Sequence, residues 1–92
     1  MKSLTEPQLM QRLAADDMAA LGELFLRHHE RVFALAYRIL GDWASAEDVT
    51  QETFLRVQRG ARRYTQTAQF STWICRIVVN LCMDEKLSLI HI

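Results

Sequence analysis

Two groups of charged side chains follow each other between residues 42 and 76. Four acids come first, with no base among them: Asp42, Glu47, Asp48 and Glu52. Five arginines come next, with no acid until Asp84: Arg56, Arg59, Arg62, Arg63 and Arg76. Clustered carboxylates suit an arginine-rich protein, and clustered arginines suit the phosphates of a nucleic acid. The sequence therefore predicts two separate binding surfaces, which a net charge of zero conceals.

Part of the acidic group has the spacing of one helix face. Asp48, Gln51, Glu52 and Leu55 stand at positions i, i+3, i+4 and i+7, which are neighbours on a helix surface. An acidic, amide-rich face with one apolar side chain suits a basic partner helix. The same spacing also fits an ordinary solvated helix face, which is the commoner arrangement.

Aromatic residues alternate with the arginines in the second group. Tyr64, Phe70 and Trp73 could stack on unpaired bases, while the arginines bind the phosphates. Phe70 and Trp73 also share a helical stripe with Ile77 and Leu81, which favours a place in the core for both. Tyr64 lies in a predicted loop and is equally suited to either role.

Catalytic and metal-binding patterns are not found. His28 and His29 are adjacent, so a helix points them about 100° apart. Cys75 and Cys82 are seven residues apart, about 10 Å along a helix, which is too far for a disulfide and is not a metal-ligand spacing. The sequence contains no catalytic triad, phosphate-cradling glycine loop or pair of catalytic carboxylates. We therefore expect no enzyme, no cofactor and no metal.

The fold expected to carry these residues is all-α. The 92 residues suffice for one small domain, half of them are hydrophobic, and one proline and three glycines leave few helix breakers. No alternating β-branched run predicts a sheet. We expect a compact bundle of about four helices with a long second helix. No signal segment or apolar run of about 18 residues is seen, which predicts a cytoplasmic protein without membrane insertion.

Capping residues predict where each helix begins. Thr5 with Gln8 begins a short first helix that runs to about Ala14. Asp16 or Asp17 caps the second, which Gly41 ends.

The predicted third helix begins at Ser45, with Asp48 completing a capping-box-like pair, and runs to Gly60. Residues 62 to 69 form a polar loop, after which Thr67 or Ser71 caps the last helix.

Residues 87–92, Leu-Ser-Leu-Ile-His-Ile, fit neither the preceding charge pattern nor a turn. They look like the translation of an adapter used in sequencing-library preparation. We therefore expect the native domain to span residues 1–86 and residues 87–92 to be a non-native tail.

Two blocks of the sequence resemble the region-two domain of bacterial RNA polymerase sigma factors, in the extracytoplasmic-function group of the sigma-70 family. The blocks are LFLRHHERVFALAYRILGDWASAEDVTQETFLRV and FSTWICRIVVNLCMDEK, and the resemblance runs from about Leu21 to Lys86. It implies the helical fold of region two. The second DNA-binding domain of the family, a helix-turn-helix, is not in this sequence, which we interpret as truncation.

The resemblance also implies partners and residue roles. The polymerase-binding residues, which dock on the clamp helices of the β′ subunit of the RNA polymerase core, are Asp48, Gln51, Glu52 and Leu55. The residues implied to bind promoter DNA, on the non-template strand of the minus-ten element, are Arg59, Arg62, Arg63, Tyr64, Gln66, Thr67, Gln69, Ser71, Trp73, Arg76 and Asn80. In this scheme the loop Tyr64 to Ser71 captures a flipped base, and Arg76 and Asn80 contact the melted strand or its upstream duplex edge.

Two functions are consistent with the resemblance. The first is a promoter-specificity subunit that recognises and melts the minus-ten element during transcription initiation. The alternative is a helical protein-interaction module whose main role is sequestration by an anti-sigma factor.

Overall fold

A computed structural model describes residues 3–65, 67 and 69–90, with the backbone alone for residues 87–90. These residues form four α-helices. The helices are α1 (Glu6–Ala14), α2 (Met18–Leu40), α3 (Trp43–Gly60) and α4 (Phe70–Ile90). The described residues include no strand. The predicted all-α bundle with a long second helix is therefore confirmed. The backbone of residues 87–90 continues α4. The non-native origin of residues 87–92 stays a prediction.

The ends of α1 and α2 follow the predicted capping pattern. Thr5 and Gln8 form a reciprocal capping box, in which the Thr5 hydroxyl accepts from the Gln8 N–H and the Gln8 side chain accepts from the Thr5 N–H. Asp17 caps α2 by accepting from the Ala19 N–H at 3.1 Å. Gly41 ends α2 in the left-handed conformation, with φ of 67°, which glycine adopts without steric cost.

The predicted start of α3 at Ser45 is wrong. Asp42 is the N-cap, and its carboxylate accepts from the Ser45 backbone N–H at 2.8 Å. Both residue types cap well, but the earlier cap keeps Trp43 in the first helical turn, where its ring packs edge-on against Phe33 with centroids 4.6 Å apart. Tertiary packing therefore decides between two locally adequate caps.

The predicted caps of α4 are also wrong. The helix begins at Phe70, so Ser71 lies inside its first turn and Thr67 lies three residues before it. The Trp73 N–H donates to the Gln69 carbonyl at 3.0 Å, which makes Gln69 the last residue before the helix. Burial of Phe70, which is 5% exposed, fixes this start.

The core lies around α2, which packs against α1, α3 and α4, while α3 also packs against α4. Residues at four-residue intervals form the buried line of α2: Ala20, Leu24, His28, Val32 and Ala36. Phe25 lies beside that line and is 38% exposed. The polar His28 takes a central place instead, because Glu6 of α1 provides its ring with a partner.

Candidate functional site

The outer side of α3 carries the four residues predicted to bind a protein partner. Asp48 and Gln51 are exposed, Glu52 is half-buried, and Leu55 retains 44% of its accessible surface. An exposed leucine between acids and an amide provides an apolar contact within a polar rim, as protein interfaces commonly do. We call Asp48, Gln51, Glu52 and Leu55 the α3 face.

The acidic and basic groups meet at Glu52. Its Oε1 lies 3.8 Å from Arg56 Nε and 3.5 Å from Arg59 Nη1. The sequence predicted two separate surfaces, whereas helix geometry joins them through this carboxylate. Exposed pairs of this kind contribute about 0.2–1 kcal/mol, so a partner arginine can replace them.

An aromatic groove between α2 and α3 borders the α3 face. Trp43 is 63% exposed, and its indole N–H donates to Glu47 Oε1 at 2.9 Å. Phe33 and Phe25 line the groove, which has a volume of about 370 Å³ and extends to Gln51. The sequence analysis missed this groove because its two walls come from different helices and no single helix face shows it.

Arginines surround the carboxyl end of α3. Arg56, Arg59 and Arg63 border a shallow depression of about 250 Å³ beside Gly60. Arg62 is exposed and lies 3.5 Å from Asp16 Oδ2. Several cations around one open depression suit the phosphates of a nucleic acid strand. Of the predicted DNA-binding residues, Arg59, Arg62 and Arg63 thus lie together.

Three aromatic rings pack next to this basic region. The centroid of Tyr64 lies 5.1 Å from that of Trp73 and 6.2 Å from that of Phe70. The predicted core position of Phe70 is confirmed, and the half-buried Trp73 packs against the core. A Cβ added at Gly60 would lie 3.0 Å from the Trp73 ring, so the glycine lets the ring approach the end of α3. Tyr64 is half-buried and borders a pocket.

That pocket has a volume of about 360 Å³ and joins the predicted loop to two helices. Tyr64, Thr67, Gln69 and Ser71 line one side, while Gln66 lies outside the described residues. The other side comes from α1 and α2, through Glu6, Pro7, His28 and Arg31. We call this the loop pocket.

The helical wall of the loop pocket is held by polar and ring contacts. Glu6 Oε1 lies 3.2 Å from His28 Nε2, and the His28 ring packs on Phe70 with centroids 4.9 Å apart. Burial raises the pKa of the Tyr64 phenol, and the nearby Glu6 carboxylate adds to the effect. The sequence analysis missed Glu6, His28 and Arg31, because more than thirty residues separate them from the loop and no local pattern links them.

The last predicted DNA-binding residues lie on α4. Arg76 and Asn80 are both exposed and stand one turn apart. The helix thus presents a cation and an amide on the same side, in an arrangement able to contact a phosphate and a base edge.

Other kinds of site are not found among the described residues. They contain no cluster of three side chains able to hold a metal ion, and none of their helices is long and apolar enough to span a bilayer. Cys75 is exposed and Cys82 is buried, and burial raises the pKa of the Cys82 thiol.

Comparison with known proteins matches residues 24–88 to the family described as sigma-70 region 2. The chain is 46% identical over 74 residues to the ECF RNA polymerase sigma factor SigE of Mycolicibacterium smegmatis, covering 77% of this chain and 28% of the relative. It is 31% identical over 76 residues to the ECF RNA polymerase sigma factor SigW of Bacillus subtilis, covering 83% of this chain and 41% of the relative. The chain thus spans less than half the length of these relatives.

A solved structure shows the same fold. It is the NMR structure of the complex formed by an engineered region 2 of sigmaE with GTAAAA. The TM-score is 0.86 at 29% sequence identity, and the match covers 96% of this chain and 93% of that chain. The similar protein was therefore solved with a short nucleic acid segment bound.

Proposed function

Because the chain belongs to the sigma-70 region 2 family, we propose that it is the promoter-recognition domain of an extracytoplasmic-function sigma factor. In this function it binds the core RNA polymerase and recognises and melts the minus-ten element. The role depends on binding and requires no chemical turnover by the domain. A polymerase partner would place its function in the cytoplasm.

The α3 face is the proposed polymerase contact. Asp48 and Glu52 provide carboxylates for arginines of the β′ clamp helices, and the Gln51 amide can donate and accept hydrogen bonds. Leu55 adds apolar area that docking removes from water. On docking, a partner arginine would replace Arg56 or Arg59 at the Glu52 carboxylate, at little cost because both pairs are exposed.

The loop pocket is the proposed site for an unstacked base of the non-template strand. Tyr64 provides a half-buried ring surface beside the buried Phe70, and the polar groups of Thr67, Gln69 and Ser71 can bond the base edge. Arg62 and Arg63 directly precede Tyr64, and Arg59 and Arg63 border one depression, so these three cations suit the phosphates on either side of the base. Each base stacked on an aromatic ring contributes about 1–3 kcal/mol, so melting needs several contacts together.

One observation carries the proposal: Tyr64 lines a pocket with aromatic and polar walls and directly follows Arg62 and Arg63, two of a group of exposed arginines. An unpaired nucleotide has the same two parts, a flat polar base and an anionic phosphate. A solvated basic loop without a pocket would attract phosphates but would give no site for a base. The solved complex of the similar sigmaE region 2 with GTAAAA also supports this assignment.

The polymerase contact can be tested by capturing the chain on a β′ clamp-helix fragment. Asp48→Ala and Gln51→Ala should weaken capture while leaving the far-UV circular dichroism spectrum unchanged. Asp84→Ala is the matched control, because Asp84 is an exposed acid on α4 outside the α3 face. Capture that is unchanged by both α3 variants would refute this contact.

The DNA contact can be tested in the complex with polymerase, using a single-stranded minus-ten oligonucleotide. Arg63→Ala should weaken binding to all sequences and reduce its salt dependence, because it removes a phosphate contact. Tyr64→Ala should weaken binding through lost ring contact. Arg12→Ala, an exposed arginine at the far end of α1, is the control. Affinities equal to wild type in both variants would argue against the DNA site.

The aromatic groove favours a second candidate function, sequestration by an anti-sigma factor. Trp43 is the most exposed aromatic residue among the large hydrophobics of the described chain, and Glu47 fixes its ring in place. Exposed aromatic patches with polar rims commonly bind proteins. If Trp43→Ala weakens binding to an anti-sigma protein while capture on the clamp helices is unchanged, this second function gains support.

A further inference from the structure

The helical wall of the loop pocket carries one carboxylate, that of Glu6, for which the proposed function gives no role. Glu6 is in the first turn of α1, far from the loop in sequence, and its side chain is 33% exposed at the pocket. Near an anionic strand, a carboxylate is unfavourable unless it makes a specific bond. Its presence there therefore needs a chemical reason.

His28 holds this carboxylate in place. An ionised carboxylate only accepts hydrogen bonds, so the His28 Nε2–H is the donor in the 3.2 Å contact with Glu6 Oε1. The His28 ring is buried against Phe70, and Arg27 Nη1 lies 3.9 Å from Glu6 Oε2. His28 is thus a positioning residue that fixes the direction of the carboxylate.

Glu6 retains the capacity to bond a ligand. A carboxylate has about four acceptor positions, so it can accept from His28 and from a group inside the pocket together. Such a group must be a hydrogen-bond donor. The hydrogen-bond donors of an unpaired base are the exocyclic amino groups of cytosine, adenine and guanine, together with the ring N–H groups of guanine and thymine.

We propose that Glu6 determines base specificity in the loop pocket, an inference that rests on the proposed function. The Glu6 carboxylate accepts a hydrogen bond from the exocyclic amino group of the captured base and rejects thymine. Thymine has no amino group, and its one ring donor, N3–H, lies between two carbonyl oxygens, so a carboxylate that accepts from N3–H faces both oxygens with like partial charge. A carboxylate that accepts from a base amino group discriminates between bases by roughly fivefold to a hundredfold.

The test is an NMR titration of the 92-residue chain with single-stranded DNA hexamers. The set starts from GTAAAA, and each position in turn carries each of the four bases. For wild type, thymine at one position should weaken binding at least fivefold relative to the amino-bearing bases. Glu6→Gln should reduce that difference to less than twofold, because an amide can turn its N–H₂ toward a thymine oxygen.

Two further variants keep the result interpretable. Glu30→Gln is the matched control, because Glu30 is an exposed glutamate of α2 that lines the aromatic groove instead of the loop pocket. It should retain the full rejection of thymine. If the Glu6→Gln variant loses the dispersed amide spectrum of a folded domain, Glu6→Asp provides the test instead. The aspartate retains the charge, but its shorter side chain withdraws the carboxylate from the base.

The outcomes separate the specificity of Glu6 from the DNA-binding function. Equal binding of thymine at every position, or rejection of thymine that persists in the Glu6 variants, overturns the role of Glu6 and leaves the DNA site standing. If no hexamer shifts the amide signals of the loop in wild type, the proposed DNA function fails, and the role of Glu6 fails with it.

Discussion

Truncation of Leu55 should weaken polymerase binding and leave the domain folded. Leu55 lies between Asp48, Gln51 and Glu52 of the α3 face and the arginines that follow it, with 44% of its surface exposed. If the α3 face docks as proposed, the exposed area becomes buried, and Leu55→Ala removes most of it.

The magnitude follows from the exposed fraction. Burying a whole leucine side chain contributes about 1.5–3 kcal/mol, so the remaining 44% contributes about 0.7–1.3 kcal/mol. That range corresponds to a roughly threefold to ninefold rise in Kd. The part already buried makes Leu55→Ala cost roughly 1–2 kcal/mol of folding stability, which a domain of typical stability, about 5–15 kcal/mol, tolerates.

Isothermal titration of a β′ clamp-helix fragment measures this effect. Leu26→Ala is the matched control, because Leu26 is a leucine of α2 that is 69% exposed and lies outside the α3 face. It should leave Kd within twofold of wild type. A folded Leu55→Ala variant that binds as tightly as wild type, or equal losses in both variants, would refute docking through Leu55.

Three further predictions follow from contacts within the helices. Arg56→Ala removes a competitor for the Glu52 carboxylate and should strengthen binding to the clamp-helix fragment by about twofold, measured by the same titration, whereas Arg12→Ala should not. The Ser45 N–H bond lowers the pKa of Asp42, so the cap stabilises the fold above the ordinary pKa of 3.8 and is lost as pH falls through the lower folded value. Asp42→Ala should therefore lower Tm near neutral pH, and melts followed by circular dichroism should show the difference from wild type shrinking as the pH falls below the ordinary pKa of 3.8. Leu24→Ala, at a fully buried position, should cost about 2–5 kcal/mol and lower Tm by at least about 8 °C, and a smaller change would contradict the central place of α2 in the core.

The sequence predicted the helices well because their signals are local. Thr5 with Gln8, and Gly41 at the end of α2, act within a few residues of their own positions, and the structure has both as predicted. The start of α3 could not be predicted in this way, since Asp42 and Ser45 are both competent caps. Packing of Trp43 against Phe33 decides between them, and that contact joins two helices.

The candidate site was predictable on one side only. The composition of residues 59–76 singled out Tyr64, and the resemblance to region two implied the roles of Gln69 and Ser71. In the structure all three line the loop pocket. Glu6 and His28 complete that pocket from other helices. Their separation from the loop in sequence, and the ordinary composition of their own helices, leave no pattern that a reader of one sequence could detect.

If the loop pocket selects a base as proposed, its two walls limit how promoter preference could be exchanged between related proteins. Grafting a foreign segment 64–71 onto this chain would replace one wall and leave Glu6 and His28 in place. Such a hybrid should acquire only part of the donor's preference, with thymine still disfavoured. Complete exchange would require transplanting α1 together with the loop. Two segments that are far apart in sequence would therefore determine the preferred base jointly.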